Sequence, residues 1–379
     1  MTSLASLPTL AAIARIPAEQ LAAAVGVCLD AAAFPVLARL LDLDLLERLA
    51  RGPATLAWLA DEVADLATPV SLQMTAELAC AFGLLALRDQ RLELTPFART
   101  FFLNNDSQVR LLGLVDRHRR YLAAIGALPA ALRETRLADR RLWSDQADAR
   151  EQAAYFKARG AFNEASRSYF WDTAALLARA HADRDLHSHR IVCDVGAGPA
   201  AFAAILKQAA PQLQVHAAEV NYADSDYLAA TSAALQTLNI SVELHAINVL
   251  HRSLPPDIDL LTANRLFSGL SREGAEGWAR RLFAALAPGG TLALVDFFAT
   301  GEPAHDRSLA ALLSLWMAWN HHELTRDPPT DPRDDRHAWG WNSPWRCDEL
   351  AALLARVGFR DVRSRSVVPP FALVEATRP

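Results

Sequence analysis

Apolar and polar positions along this chain follow two different periods, and the change falls near residue 190. Before it the spacing is mostly helical. Residues 21–27 and 31–41 are apolar stripes rich in Ala and Leu, which lose little freedom in a helix. Gly52-Pro53 interrupts the pattern, and Thr55 then precedes Leu56, Leu59 and Val63 at helical spacing. Thr68-Pro69 marks another boundary, with Ser71 as the expected cap of a helix over 72–82 that Gly83 ends. Residues 84–87 and 91–95 flank a polar turn and predict a β-hairpin. Residues 111–182 read as long helices, and 183–189 as a polar linker.

From Arg190 onward short apolar strands alternate with helices. Strands are predicted over 190–195, 213–218, 242–247 and 257–263, then over 291–296 after a Pro288-Gly289-Gly290 turn, and finally over 359–368 and 371–377. Helices are predicted over 201–208, 274–286 and 347–357. Such alternation is the pattern of a three-layer α/β sheet domain.

Composition narrows the class. Hydrophobic residues make up 52% and charged residues 21%, a folding composition rather than a disordered one. The longest apolar runs, such as 78–87, fall short of the ~18–20 residues of a membrane span. No charged segment followed by a solid apolar block opens the chain, so no secretory signal is expected. Cys28, Cys80, Cys193 and Cys347 are scattered without CxxC spacing, which argues against a zinc knuckle or disulfide framework and for a reducing cytoplasm.

The order helix, helix, hairpin is that of a winged helix, in which the helix before the hairpin would contact DNA. Here residues 71–84 contain no Lys or Arg, and residues 1–110 hold 8 Lys+Arg against 12 Asp+Glu. Phosphate binding needs a cationic excess, so this charge pattern predicts packing against another subunit rather than against nucleic acid.

The candidate chemistry begins at residue 194. Asp194-Val195 ends the first strand of the second half, and Gly196-Ala197-Gly198-Pro199-Ala200 leads directly into a helix. Strand, Gly-rich turn and helix form a nucleotide-binding start, because the glycines let the backbone approach a ligand. Glu219 ends the next strand about 20 residues later, where a carboxylate can take both hydroxyls of a ribose. A third glycine is absent from the turn, and the last two strands form a hairpin-like pair. Both features favour a mononucleoside cofactor over a dinucleotide.

In these motifs residues 190–379 resemble the class I S-adenosylmethionine-dependent methyltransferases. The resemblance rests on Asp194-Val195-Gly196-Ala197-Gly198, Glu219, Pro288-Gly289-Gly290 and Val357-Gly358-Phe359-Arg360. Residues 20–103 are similar to the dimerisation module of the small-molecule O-methyltransferases, including the Leu94-Thr95-Pro96-Phe97 turn. The resemblance implies an α/β fold: a Rossmann-like seven-stranded methyltransferase domain preceded by a mainly helical winged-helix-like dimerisation domain. It divides the chain into 1–110 and 111–379, the latter made of a helical linker and pocket region (111–185) and a cofactor-binding catalytic domain (186–379).

The same resemblance implies S-adenosyl-L-methionine as cofactor, a small-molecule substrate and a homodimer, with no nucleic acid and no membrane. Gly196 and Gly198 would approach its methionine end, Glu219 would hold the ribose and Asn248 the adenine, with Asn264 and Arg265 beside the methyl donor and Asp194 a further cofactor-binding residue. Phe162, Asn163, Arg167 and Tyr169 would close over cofactor and substrate. The family's general-base His has no counterpart, since Phe267 stands at its position, where it would line the substrate pocket but cannot accept a proton.

Replacement is sought in residues 316–345, which hold five of the nine tryptophans. Trp316 and Trp319 are expected to build an apolar substrate slot, and the Pro- and Asp-rich segment 327–336 reads as a binding loop. His321 and His322 are the candidate bases; as metal ligands they are disfavoured, because neighbours on a helix point ~100° apart. The expected reaction is O-methylation of an aromatic or polyketide-like acceptor in secondary metabolism. Its rivals are C-methylation, a cofactor-binding enzyme turned to decarboxylation, hydroxylation or rearrangement, and a DNA-binding regulator.

Overall fold

The computed structural model describes residues 8–29, 33–103, 111, 115, 174–249, 252–267, 272–301, 306, 345–368 and 371–379. It shows an N-terminal module of helices with a small three-stranded sheet, followed by a seven-stranded α/β unit.

The first helices, Leu10–Ala14, Ala18–Leu29, Ala33–Asp42 and Leu45–Ala50, bury their Ala- and Leu-rich faces together. Strand β1 (Ala54–Thr55) leads into the helix Leu56–Glu62, whose first turn is capped by the Thr55 hydroxyl accepting from the Trp58 N–H at 3.2 Å. The next helix, Pro69–Ala81, starts earlier than the sequence predicts. Thr68, not Ser71, is its cap: the Thr68 hydroxyl accepts the Ser71 N–H at 3.2 Å. Pro69 lacks an N–H and its fixed φ suits a first helical position, so the helix begins at the proline.

Strands β2 (Leu85–Arg88) and β3 (Arg91–Leu94) form the predicted hairpin. Asp89 and Gln90 both take positive φ, the conformation of a tight two-residue hairpin turn. β1 adds to β3, giving the order β1-β3-β2. Thr95 closes the wing by capping the helix Pro96–Phe101 and donating its hydroxyl to the Gly83 carbonyl at 2.7 Å.

The large sheet runs in the order β6-β5-β4-β7-β8-β10-β9, with β4 Ile191–Val195, β5 Gln214–Ala218, β6 Glu243–His245, β7 Ile258–Asn264, β8 Leu286–Phe297, β9 Arg360–Val368 and β10 Phe371–Thr377. Strands β4 to β8 are parallel, and β10 is antiparallel to both its neighbours. The chain starts at β4, winds outward through β5 and β6, then returns to β7 on the other side of β4. That reversal makes the carboxyl ends of β4, β5 and β7 the natural ligand crevice of the sheet.

Side chains alternate between two cores. Val192, Val215, Leu260 and Val295 face the N-terminal helices and the helix Ala201–Ala209. Cys193, Leu261, Ala263 and Leu294 face the helices Arg272–Ala285 and Cys347–Val357. The first core runs without a break from Ile13, Leu21 and Phe34 to Phe202, Val367 and Leu373. The outer edge strand β9 is rich in exposed Arg and Ser, which discourages pairing with another chain.

Two strand predictions need correction. The strand expected over 242–247 shortens to Glu243–His245. The Pro288-Gly289-Gly290 segment lies within β8 as an irregularity of the β7–β8 pairing, rather than as a separate turn before the strand. A Cβ at Gly290 would meet the carbonyl oxygens of Ala287 and Ile258 at 2.8 Å, so this point of the ladder admits only glycine.

Candidate functional site

The site is built at the carboxyl ends of β4, β5 and β7. Gly196, Gly198 and Ala200 all have positive φ, which turns the chain sharply from β4 into the helix Ala201–Ala209. The turn is pinned to the neighbouring strand: the Gly196 and Ala197 N–H groups donate to the Ala218 carbonyl at 2.8 and 3.3 Å. A Cβ at Gly196 would lie 3.2 Å from both methyls of Leu266, so the glycine provides both the left-handed backbone and room for that side chain.

Glu219 follows β5 and is buried against this turn. Its Oε2 accepts the Gly198 N–H at 3.0 Å. Its Oε1 accepts the Asn221 N–H at 3.1 Å and the Asn221 side-chain amide at 2.6 Å. Tyr222 donates its hydroxyl to the Gly198 carbonyl at 2.8 Å, which fixes the turn from its other side. The predicted Gly pair and the predicted carboxylate are therefore in direct contact.

Asp194, at the end of β4, is also buried. Its Oδ1 accepts from the Thr262 hydroxyl at 2.8 Å and from the Asn264 amide at 3.2 Å. Burial pushes its pKa up to about 7; the two hydrogen bonds oppose that rise and the nearby Glu219 charge adds to it. The Asn264 Oδ1 is buried and has no hydrogen-bond partner among the described residues, which leaves an acceptor at the crevice. Arg265 takes a positive φ and lays its guanidinium over the Phe297 ring at 4.7 Å, while its N–H donates to the Val295 carbonyl. Asn248 follows β6 and is half-buried, its carbonyl accepting from the Arg252 N–H at 2.8 Å.

Phe267 stands three residues beyond the end of β7. It is only 1% exposed and packs between Trp278 and Trp345, with ring centroids 5.3 and 4.8 Å away. Two indoles from the flanking elements enclose its ring. Trp345, one of the tryptophans of the 316–345 segment, lies in the same core. His321, His322, Phe162, Asn163, Arg167, Tyr169, Trp316 and Trp319 lie outside the described residues.

Four participants escaped the sequence reading. Thr262 had a usable signal, a polar residue that the strand buries between Leu261 and Ala263. Tyr222 and Leu266 had none, because their roles arise from the approach of separate segments to the Gly turn, and Asn221 joins through the short helical turn that Glu219 itself caps. Among the described residues no single helix is long and apolar enough to cross a membrane, and the four cysteines are free thiols.

No protein-family model matches the chain, and no curated protein sequence matches it. Solved structures do match. Human N-acetylserotonin methyltransferase in complex with S-adenosylmethionine aligns with a TM-score of 0.63 at 17% identity, over 91% of this chain and 93% of that one. The S-adenosylmethionine-dependent methyltransferase SibL, in its apo form, gives a TM-score of 0.63 at 21% identity, over 92% and 96%. The pyocyanin biosynthetic protein PhzM gives 0.61 at 16% identity, over 91% and 95%. Across nearly its whole length, then, the chain has the fold of S-adenosylmethionine-dependent small-molecule methyltransferases, in which a helical winged module precedes a Rossmann-like seven-stranded sheet.

Proposed function

We propose that the chain is an S-adenosylmethionine-dependent methyltransferase that methylates an oxygen of a small aromatic or polyketide-like acceptor. The observation that carries this reading is the contact between the buried Glu219 carboxylate and the Gly198 N–H, at the point where the strand order reverses. Solved structures of the same fold hold S-adenosylmethionine, as in the human enzyme, or S-adenosylhomocysteine, as in PigF. One of them is named a mitomycin 7-O-methyltransferase.

The residues present fit this cofactor. An ionised carboxylate has about four acceptor positions, and three on Glu219 are taken by Gly198 and Asn221. One ribose hydroxyl can be accepted as it stands, and a second needs the Asn221 amide to move aside. The orphaned Asn264 Oδ1 suits the ammonium of the methionine end. Gly196 and Gly198 keep the turn free of side chains, and Asn248 is assigned to the adenine.

When bound, S-adenosylmethionine supplies a methyl group already activated for displacement. The chain's task is then to align the acceptor and keep water out. Phe267, enclosed in the core, takes no proton. His321 or His322 is assigned as the base, and Phe162, Asn163, Arg167, Tyr169, Trp316 and Trp319 as the acceptor's surroundings. The absence of a base at position 267 also accommodates carbon methylation of an enolised acceptor, and NMR of the product separates an O-methyl from a C-methyl group. The module 1–110 is assigned to pairing with a second copy, because Val70, Met74 and Leu78 are 68%, 59% and 47% exposed on one side of its helix.

The test is calorimetric titration of the purified chain with S-adenosylmethionine and S-adenosylhomocysteine. Both should bind. Glu219→Gln should weaken binding by about tenfold or more, the loss of a charge-assisted hydrogen bond. Asn221→Ala should bind at least as tightly as the wild type, because its side chain competes with the ribose. A well-folded protein that binds neither compound would overturn the reading.

A further inference from the structure

Away from the Gly196 turn, β5 and the edge strand β6 gather three side chains. The Nδ1 of His216 lies 2.8 Å from the Nε2 of His245 and 3.4 Å from the Oε2 of Glu243. All three candidate ligand atoms fall within 4.8 Å of one another. The strand register accounts for this. His216 pairs with Glu243 and Ala218 with His245, so Glu243 and His245, two residues apart, share one face with His216. Gln214, two residues before His216, donates its side-chain amide to the other Glu243 oxygen at 3.1 Å. His216 is buried, Glu243 is exposed, and β6 is the outermost strand, so the cluster opens to solvent at the sheet edge.

We infer that His216, Glu243 and His245 form a binding site for a divalent first-row transition-metal ion of the zinc class, with its fourth position left to water. Two imidazoles and one carboxylate are a zinc ligand set, whereas magnesium and calcium favour oxygen ligands alone. Nitrogens bound to a tetrahedral ion at ~2.0–2.1 Å stand ~3.3 Å apart. The His216–Glu243 separation already fits, and the two imidazoles need to open by about half an ångström as the ion replaces the proton between them. The Gln214 amide is an outer hydrogen bond of the kind that orients a ligating carboxylate. The ion would tie the three-residue strand β6 to β5. It would do so beside Glu219, whose N–H donates to the His245 carbonyl at 3.0 Å. The site stands independently of the proposed methyl transfer.

The test uses the full chain, stripped with a chelator and titrated with Zn²⁺ by calorimetry, with Mg²⁺ as comparison and thermal unfolding recorded with and without zinc. Zinc should bind at one site per chain and raise the unfolding midpoint, while Mg²⁺ gives no binding heat. His245→Gln should weaken zinc binding by more than about a hundredfold, and the outer-layer change Gln214→Ala by about tenfold. Glu243→Gln, at an exposed position, should also weaken it and guards against a misfolded His245 variant; circular dichroism checks each fold. The double change His321→Ala, His322→Ala should leave zinc affinity unchanged. Failure of the folded wild type to bind zinc, full binding by His245→Gln and Glu243→Gln, or loss that follows the 321/322 pair instead would each overturn the site and leave a plain hydrogen-bonded histidine pair.

Discussion

Asp194 holds a carboxyl group among buried side chains, and this has a consequence for stability. Its pKa lies near 7 instead of the usual 3.8, raised chiefly by burial. Between about pH 4 and pH 7 the folded chain therefore keeps a proton that the unfolded chain has released. Stability from this group is fully present below the unfolded pKa and is lost as pH rises towards the folded one, with a slope of at most about 1.4 kcal/mol per pH unit. Asp194→Asn should remove that slope, so the stability difference between variant and wild type should shift in the variant's favour from about pH 5 to about pH 8. Urea denaturation at both pH values measures it, and an unchanged difference would refute the assignment. The sequence revealed Asp194, the glycines and Glu219, because strand, turn and helix leave a readable mark. It was silent on Asn221, which holds Glu219 from two residues along the chain through its N–H and its side-chain amide.

Elements were legible where their ends carry chemistry. Gly358, with its positive φ, ends Cys347–Val357 at the residue the sequence indicated, whereas Thr68 and not the expected Ser71 caps Pro69–Ala81. Legibility failed at β8. Pro288-Gly289-Gly290 has the composition of a turn, yet the demand for glycine there comes from two carbonyl oxygens, one of them on β7. Thr95 offers the sharpest test at this scale, since one hydroxyl both accepts the Ala98 N–H and donates to the Gly83 carbonyl. Thr95→Val should cost about 1–2 kcal/mol of unfolding free energy by chemical denaturation, more than an exposed cap alone would cost. A loss within about 0.5 kcal/mol, the range of ordinary surface substitutions, would show that the wing is held by its apolar contacts instead.

For the whole molecule, the apolar face of Pro69–Ala81 separates the two uses of a winged module. A helix that read DNA would present cations, and this one presents Val70, Met74 and Leu78 instead. Met74→Lys should shift the proposed dimer towards monomer, read as a lower mass by size-exclusion chromatography with light scattering at micromolar concentration. A wild type already monomeric, or a variant unchanged in mass, would exclude this face from pairing.

The unbroken core that joins the N-terminal helices to the sheet has one more consequence, for anyone recombining such proteins. The junction between the two halves is a seam and not a hinge: Ile13, Phe34 and Leu37 on one side share a lining with Phe202 and Val367 on the other. A chimera cut along the sequence boundary would carry half of a jigsaw edge into a foreign mate. A working transplant has to take both edges of the seam together, so the unit of exchange is larger than either half.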